Sequence, residues 1–176
     1  MDLRLGPHLR MTSGSWRGDE TYVRVKGRWM YLYHAVDARG QTIDFLLSAK
    51  HNAAAARRFF RKALKQAHTV NPCTLSVDKN AAYPSAAKIM KNNGELWRFA
   101  KLRQVKYLNN IVEQDHRRIK RLVRPGFGFK SFHTARRTIA GYEVMATVRK
   151  GQVAVIPAND MSAQATFVAA LFGVAA

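Results

Sequence analysis

The sequence predicts an α/β fold: a mixed five-stranded sheet, an antiparallel meander followed by parallel strands, with helices on both faces. Three observations carry it. The first third alternates in the β manner and is broken by short turns. The middle then switches to helical periods separated by short apolar runs. Each such run is too far from the last for a hairpin, so it needs a crossover connection, and a crossover makes the pair parallel.

The elements follow in order. Residues 1–14, with Pro7 and a Thr12-Ser13-Gly14 turn, are expected to be an unstructured lead-in. Ser15 to Lys26 alternates with Trp16, Tyr22, Val23 and Val25 as strand formers, and Gly27-Arg28 reads as a tight turn. Trp29 to Asp37 is the second strand, 38–41 a turn, and Thr42 to Ala49 the third strand. A helix is expected from Asn52 to His68, with Ala56, Phe59, Phe60, Ala63, Leu64 and Ala67 as its core stripe. Cys73 to Asp78 is an apolar run ending in an acid, as a buried parallel strand would. A helix from Tyr83 to Lys91 follows, with Pro84 in its first turn. Another strand lies within 96–105, a helix covers Asn109 to Arg121, and Pro125-Gly126-Phe127-Gly128 breaks it. A mixed helix runs from Thr134 to Arg149, and Phe167 to Phe172 closes the chain as a helical cap. This is the element order of a ribonuclease H-like fold.

Charge narrows the partners. Thirty Lys and Arg against 11 Asp and Glu give +19, far beyond what solubility needs. Such an excess points to a polyanion, first nucleic acid, with an anionic membrane surface as the competitor. The longest apolar stretch is about 12 residues, whereas a bilayer span needs roughly 20. Residues 1–7 lack the apolar run of a signal peptide. The single Cys73 excludes an internal disulfide, argues against a cysteine zinc site, and suits a reducing cytoplasm. The six histidines (8, 34, 51, 68, 116 and 133) show no ligand spacing. Any bound metal is therefore expected on oxygen ligands, which favours magnesium or manganese.

On a helical wheel, the 109–121 helix places Ile111, Val112, Ile119, Leu122 and Val123 on one face. Glu113, His116, Arg117 and Lys120 fall on the other. That polar face reads either as solvated, with one-turn ion pairs, or as a carboxylate for a metal beside cations for phosphate. Asp115 falls inside the apolar stripe and is expected to be buried and paired. His116 is expected either to touch a scissile phosphate or to pair with Glu113.

Two further acids decide the balance: Asp19 in the first strand and Asp78 at the end of the fourth. Three acids from distant elements suit phosphodiester cleavage, where two divalent ions about 4 Å apart stabilise the attacking and leaving oxygens. Glu20, next along the strand, points to the opposite sheet face and is not expected to be a ligand. The aromatics of Trp29-Met30-Tyr31-Leu32-Tyr33 read as core or as base-stacking surface. Arg57, Arg58, Arg61 and Lys62 read as a solvated face or a track for a DNA backbone.

The blocks Asp19-Glu20-Thr21-Tyr22, then Val77-Asp78-Lys79-Asn80-Ala81-Ala82-Tyr83-Pro84, then Asn109-Asn110-Ile111-Val112-Glu113-Gln114-Asp115-His116-Arg117-Arg118-Ile119-Lys120 resemble a DDE transposase of a bacterial insertion sequence. The likeness continues through Gly128 to Phe132 and Ala135 to Gly141, and to the closing Leu171 to Ala176. It implies a ribonuclease H-like catalytic domain over 15–152, with 153–176 a C-terminal extension packing on it. Asp19, Asp78 and Glu113 would be the catalytic, metal-binding triad for two Mg²⁺ or Mn²⁺ ions. Lys120 matches the basic residue that such enzymes place seven positions after the Glu. With His116 and Arg117 it forms the expected DNA contact.

The implied partners are transposon-end and target DNA, in a homodimer or larger assembly and with no membrane. The implied setting is the bacterial cytoplasm, in association with the nucleoid. The family usually carries an N-terminal helix-turn-helix region, and only about 14 dissimilar residues precede Trp16. The expectation is thus a catalytic domain without its DNA-targeting part, hydrolysing at transposon ends and transferring strands. The alternatives are a non-transposing DNA-binding remnant that inhibits the full-length enzyme, or a related nuclease or integrase.

Overall fold

The computed structural model describes residues 4–105, 110–123 and 128–174, and the side chains of Asn110, Ile111 and Glu113 lie outside the described set. Five strands form one sheet in the order β3-β2-β1-β4-β5. β1 (Ser15–Val25), β2 (Arg28–Asp37) and β3 (Thr42–Ser48) make the expected antiparallel meander. β4 (Thr74–Val77) and β5 (Lys101–Gln104) add parallel to the other side of β1. The β1–β2 hairpin closes through Lys26 and Gly27, both at positive φ (49° and 75°). Those angles belong to the two-residue turn whose twist matches that of paired strands.

Alternation along the strands separates two cores. Trp16, Tyr33, Ala35, Leu75 and Val77 face α1 (Ala53–Leu64) and α2 (Ala82–Asn92), meeting Phe59, Phe60, Tyr83 and Met90. Val23, Val25, Leu32, Phe45 and Leu47 face the other way, towards Ile119 of α3 (Asn110–Val123) and Ala135 and Ile139 of α4 (Phe132–Arg149). Asn52 caps α1 by accepting from the Ala55 N–H, and Ser131 caps α4 through the Thr134 N–H, as short polar side chains do at helix starts. Among the described residues no helix is long and apolar enough to cross a membrane.

Residues 4–14 are not part of the unstructured lead-in expected over 1–14. Leu5 and Leu9 are buried with Val144, Val148, Val153 and Ile156, in a third cluster that α5 (Met161–Phe172) covers. Leu9 bridges Val153, and the Ala154 N–H donates to the His8 carbonyl. Gly6 and Pro7 look like loop residues locally. Among the described residues, the apolar surface that orders this segment lies at the α4–α5 junction, far away in the chain.

Gly128 fixes the far end of the α3 face. The Phe129 N–H donates to the Arg24 carbonyl, and the Lys26 N–H donates to the Phe129 carbonyl. At φ 92° a Cβ on Gly128 would sit 2.7 Å from the Arg24 carbonyl oxygen, so only glycine fits this approach.

Candidate metal and DNA site

β4 is short. It pairs with β1 only from Ser15↔Thr74 to Gly18↔Val77. Asp19 and Asp78, each one residue further on, therefore emerge side by side where the parallel pairing stops. Asp78 also accepts from the Asn80 N–H at 3.1 Å, which turns the chain towards α2. One carboxylate oxygen from each of Asp19, Glu20 and Asp78 lies within 4.8 Å of the other two.

Glu20 belongs to this cluster, although alternation argues against it. Its side chain does leave on the α1–α2 face, as expected. There its carboxylate accepts from Asn80 Nδ2 at 2.8 Å, meets His51 Nε2 at 2.5 Å and accepts a short bond from the Tyr83 hydroxyl. The two faces meet because no described strand pairs with β1 just past β4, and side chains from both faces close around that open edge. Burial, then Glu20, raises the Asp78 carboxyl above the ordinary carboxylate range. Such crowding of acids is the condition a divalent cation relieves.

Helix α3 crosses the other face. The backbone of Glu113 lies on it, but the carboxylate expected to complete the triad is outside the described side chains. Arg117 and Lys120 are exposed, as a DNA-facing pair requires. His116 is not on that outer side. It is 4% exposed, and its Nδ1 lies 4.0 Å from Asp19 Oδ2. Its reach is therefore to the acid and not to solvent.

The apolar wheel mislocated this face. Val112, Ile119 and Asp115 are buried as expected, yet Leu122 is 45% exposed and His116 is inside. Ile111, also assigned to that stripe, lies outside the described side chains.

A polar network holds the helix in this rotation. Asp115 is the buried, paired acid expected: Lys150 Nζ donates to it at 2.5 Å and Arg118 lies at 3.3 Å. His34, the β2 residue paired with Asp19 across the ladder, meets Glu143 at 3.2 Å, with both side chains fully buried. The His34 and His116 rings meet edge to face at 6.0 Å. Burial alone would raise the Glu143 carboxyl, but His34, Arg118 and Lys150 outweigh it and hold it below the usual range. Sequence reading missed His34, Glu143 and Lys150. Their one signal was an acid and a histidine within apolar segments.

Burial, reinforced by His34 and Lys120, pushes His116 from 6.5 down to about 3. It is neutral in the folded protein and protonates in the unfolded chain below its ordinary pKa. Between pH 6.5 and about 3 the unfolded state thus binds the extra proton. Stability contributed by His116 is complete above that window and falls on acidification, by up to about 1.4 kcal/mol per pH unit. Urea unfolding across pH 7.5 to 5 should show this slope, and His116→Gln should flatten it. An unchanged slope in the variant would place the titration elsewhere.

Comparison with known proteins fits this geometry. The family profile described as a DDE domain matches residues 13–152. The transposase for insertion sequence-like element IS431mec of Staphylococcus aureus (strain Mu50) is 37% identical over 142 residues, 77% of this chain. The transposase for insertion sequence element IS257 in transposon Tn4003 of Staphylococcus aureus aligns with the same identity and coverage. The chain spans 58% of the length of these curated relatives.

Among solved structures, the HTLV-2 integrase catalytic core domain in complex with magnesium superposes with a TM-score of 0.52 at 18% identity, over 65% of this chain and 72% of that one. The simian T-cell lymphotropic virus intasome gives 0.50 at 18% identity, over 68% of this chain and 44% of that one. At such identity the likeness speaks for the fold alone, which is ribonuclease H-like. With a DDE domain matched over most of its length and close staphylococcal relatives, the chain belongs to the DDE transposases of insertion sequences.

Proposed function

We propose that this chain is the catalytic domain that cleaves DNA at insertion-sequence ends and transfers the freed strand to target DNA, in the bacterial cytoplasm. Asp19, Asp78 and Glu113 hold two magnesium or manganese ions. The observation that carries this is the meeting of Asp19, Glu20 and Asp78 oxygens within 4.8 Å at the edge that α3 crosses. Carboxylate oxygens are the donors these hard cations prefer. When bound, the ions supply Lewis-acid activation of the attacking oxygen and neutralise charge on the leaving one.

The chain's own residues do the rest. Glu20, braced by Asn80, His51 and Tyr83, keeps the turn after β4 against β1 and so sets the aim of Asp78. His116, neutral and buried, backs Asp19 without adding a competing positive charge. Arg117 and Lys120, one turn apart and exposed, take DNA phosphates along α3. Two such domains, or more, act together because both transposon ends must be joined to one target.

Incubating the chain with magnesium and end-labelled terminal-repeat duplex tests the reading. Cleaved ends and joined products are the expected result. Cleavage without joining would mark a nuclease, and binding without cleavage a remnant.

Lys120 separates substrate handling from folding. Its side chain is exposed, so Lys120→Ala should shift stability by less than about 0.5 kcal/mol. Strand transfer should nevertheless drop by about tenfold or more, since a positioned ammonium is lost beside the reacting phosphate. A variant that unfolds, or that joins ends at the parental rate, contradicts the face assigned to this helix.

A further inference from the structure

α5 carries no charged residue from Met161 to Phe172. Its inner side, with Ala163, Phe167 and Leu171, packs on the cluster of Leu5, Val144 and Val148. A surface helix ordinarily turns charged side chains outwards, and one that is apolar all round is covered on both sides. This helix turns out Met161, at 64% exposure, and Phe172, at 40%, with Ala165 exposed between them. Met145 of α4 and Val174 just past α5 are uncovered as well. Gln164 does not relieve that face: it is buried, and its Nε2 donates to the carbonyls of Pro157 and Ala158.

These side chains border a groove of about 500 Å³ between α4 and α5, lined by Met145, Arg149, Met161, Ala165, Ala169 and Phe172 among others. Among the described residues no acid lines it, and Arg149 is its charged one. Arg4 stands at the rim, with its guanidinium 4.7 Å from the centre of the Phe172 ring. The chain as a whole carries +19. A polyanion therefore finds its partners elsewhere on the surface, and this groove suits an apolar occupant.

The outer stripe matches itself. Met161, Ala165, Ala169 and Phe172 stand at i, i+4, i+8 and i+11, on one side of the helix, bulky at both ends and small in the middle. Turned antiparallel about a two-fold axis, two copies of α5 set each Met161 against the partner's Phe172, while the alanines let the backbones approach. Self-complementarity of this kind is what a two-fold interface requires. The contact also leaves the acids open. Met145 lies two positions beyond Glu143, about 200° round α4, and Glu143 faces His34 on the side of the metal site.

We infer that the α4–α5 groove is a contact between two copies of this chain, made by α5 crossing α5 about a two-fold axis. Its strength follows from its size. A helix of 12 residues is about 18 Å long and 10–12 Å wide, which gives less than the about 800 Å² per partner of a standard stable interface. The pairing is thus on the order of tens of micromolar when free, and copies held on one DNA complete it through their raised effective concentration. The inference rests on the catalytic reading only for that use, the holding of two DNA ends together.

The test is sedimentation of the nuclease-treated full chain in EDTA, from about 5 to 200 μM. The parent should pass from monomer to dimer, and more readily at 0.5 M than at 0.15 M NaCl, because salt screens the repulsion between two basic copies and leaves apolar burial intact. Association through residual nucleic acid would weaken with salt instead. Ala165→Glu and Ala165→Lys should each weaken pairing by about tenfold or more, by setting like charges across the axis. Both should melt near the parent, since the position is exposed and both residues are good helix formers. Mixed in equal amounts, the two variants should sediment as a dimer again.

A parent that stays monomeric throughout, or that dissociates as salt rises, overturns the inference. So does pairing that survives Ala165→Glu, or a mixture that stays monomeric. A monomeric parent that floats with phosphatidylcholine vesicles would give the groove to lipid. Because no DNA or metal enters the measurement, pairing without magnesium-dependent cleavage sinks the catalytic proposal alone, and cleavage by a chain that never pairs sinks this one alone.

Discussion

Replacing Asp78 by Asn should abolish magnesium-dependent cleavage, by at least about 10²- to 10³-fold, in a domain that still folds. Asn is nearly isosteric, and its amide oxygen can still accept the Asn80 N–H that shapes the turn after β4. What it removes is a negative charge beside Asp19 and Glu20. That charge is unfavourable without a cation, because burial and Glu20 already raise the Asp78 carboxyl. The metal-free variant should therefore melt at or slightly above the parent.

The same change should cancel the response to metal. A cation that binds only the folded state raises stability with its concentration, by about 2.7 kcal/mol at a hundred times its dissociation constant. The parent's melting temperature should climb on titration with Mg²⁺ or Mn²⁺, and that of Asp78→Asn should stay level. A variant that keeps both the climb and the cleavage would remove Asp78 from the metal site.

The second large effect belongs to stability. Glu143→Ala strands a fully buried His34 and deprives Arg118 and Lys150 of one of the acids that offset them. Breaking one side of a buried ionic arrangement costs about 3–5 kcal/mol. For a domain of this size that is a fall in melting temperature of the order of 10 °C. Replacing both partners by apolar residues, as in His34→Leu with Glu143→Leu, should recover much of the loss, because neither then leaves an uncompensated polar group. Calorimetry on the parent, the single and the double variant decides it. A single variant within about 0.5 kcal/mol of the parent would show the network to be dispensable. Because His34 stands opposite Asp19 in the ladder and beside His116, Glu143→Ala should also lower the apparent metal affinity. Residues that orient a metal's ligands typically carry effects of about 10- to 100-fold.

Local rules make much of this protein legible from its residues alone. Alternation and turn residues in 15–48 specify the meander. Apolar stripes specify α1 and α2, and an acid at the end of an apolar run puts Asp78 where a short parallel strand stops. That Asp19 and Asp78 stand on neighbouring strands was decided by the fold, because a crossover after β3 can lay β4 on either edge of the meander and here it lies beside β1. The strong positive charge needs no fold at all. Aromatic alternation in β2 gave a mixed result, with Tyr33 buried and Trp29 exposed on the same strand. The period says which face a ring is on, but not where the covering helices end.

Tertiary structure decided what periods cannot see. Glu20 joins the acids because β4 ends at Val77, and an edge left open lets both faces of β1 converge. His116 turns inward because its helix answers to His34, Glu143 and Lys150, and the His34–Glu143 contact spans 109 residues. Leu5 and Leu9 are ordered by a junction near the other end of the chain. In each case the deciding partner is remote in sequence. Burying a polar or terminal residue is favourable only when such a partner is present, whereas an apolar stripe is favourable against almost any neighbour.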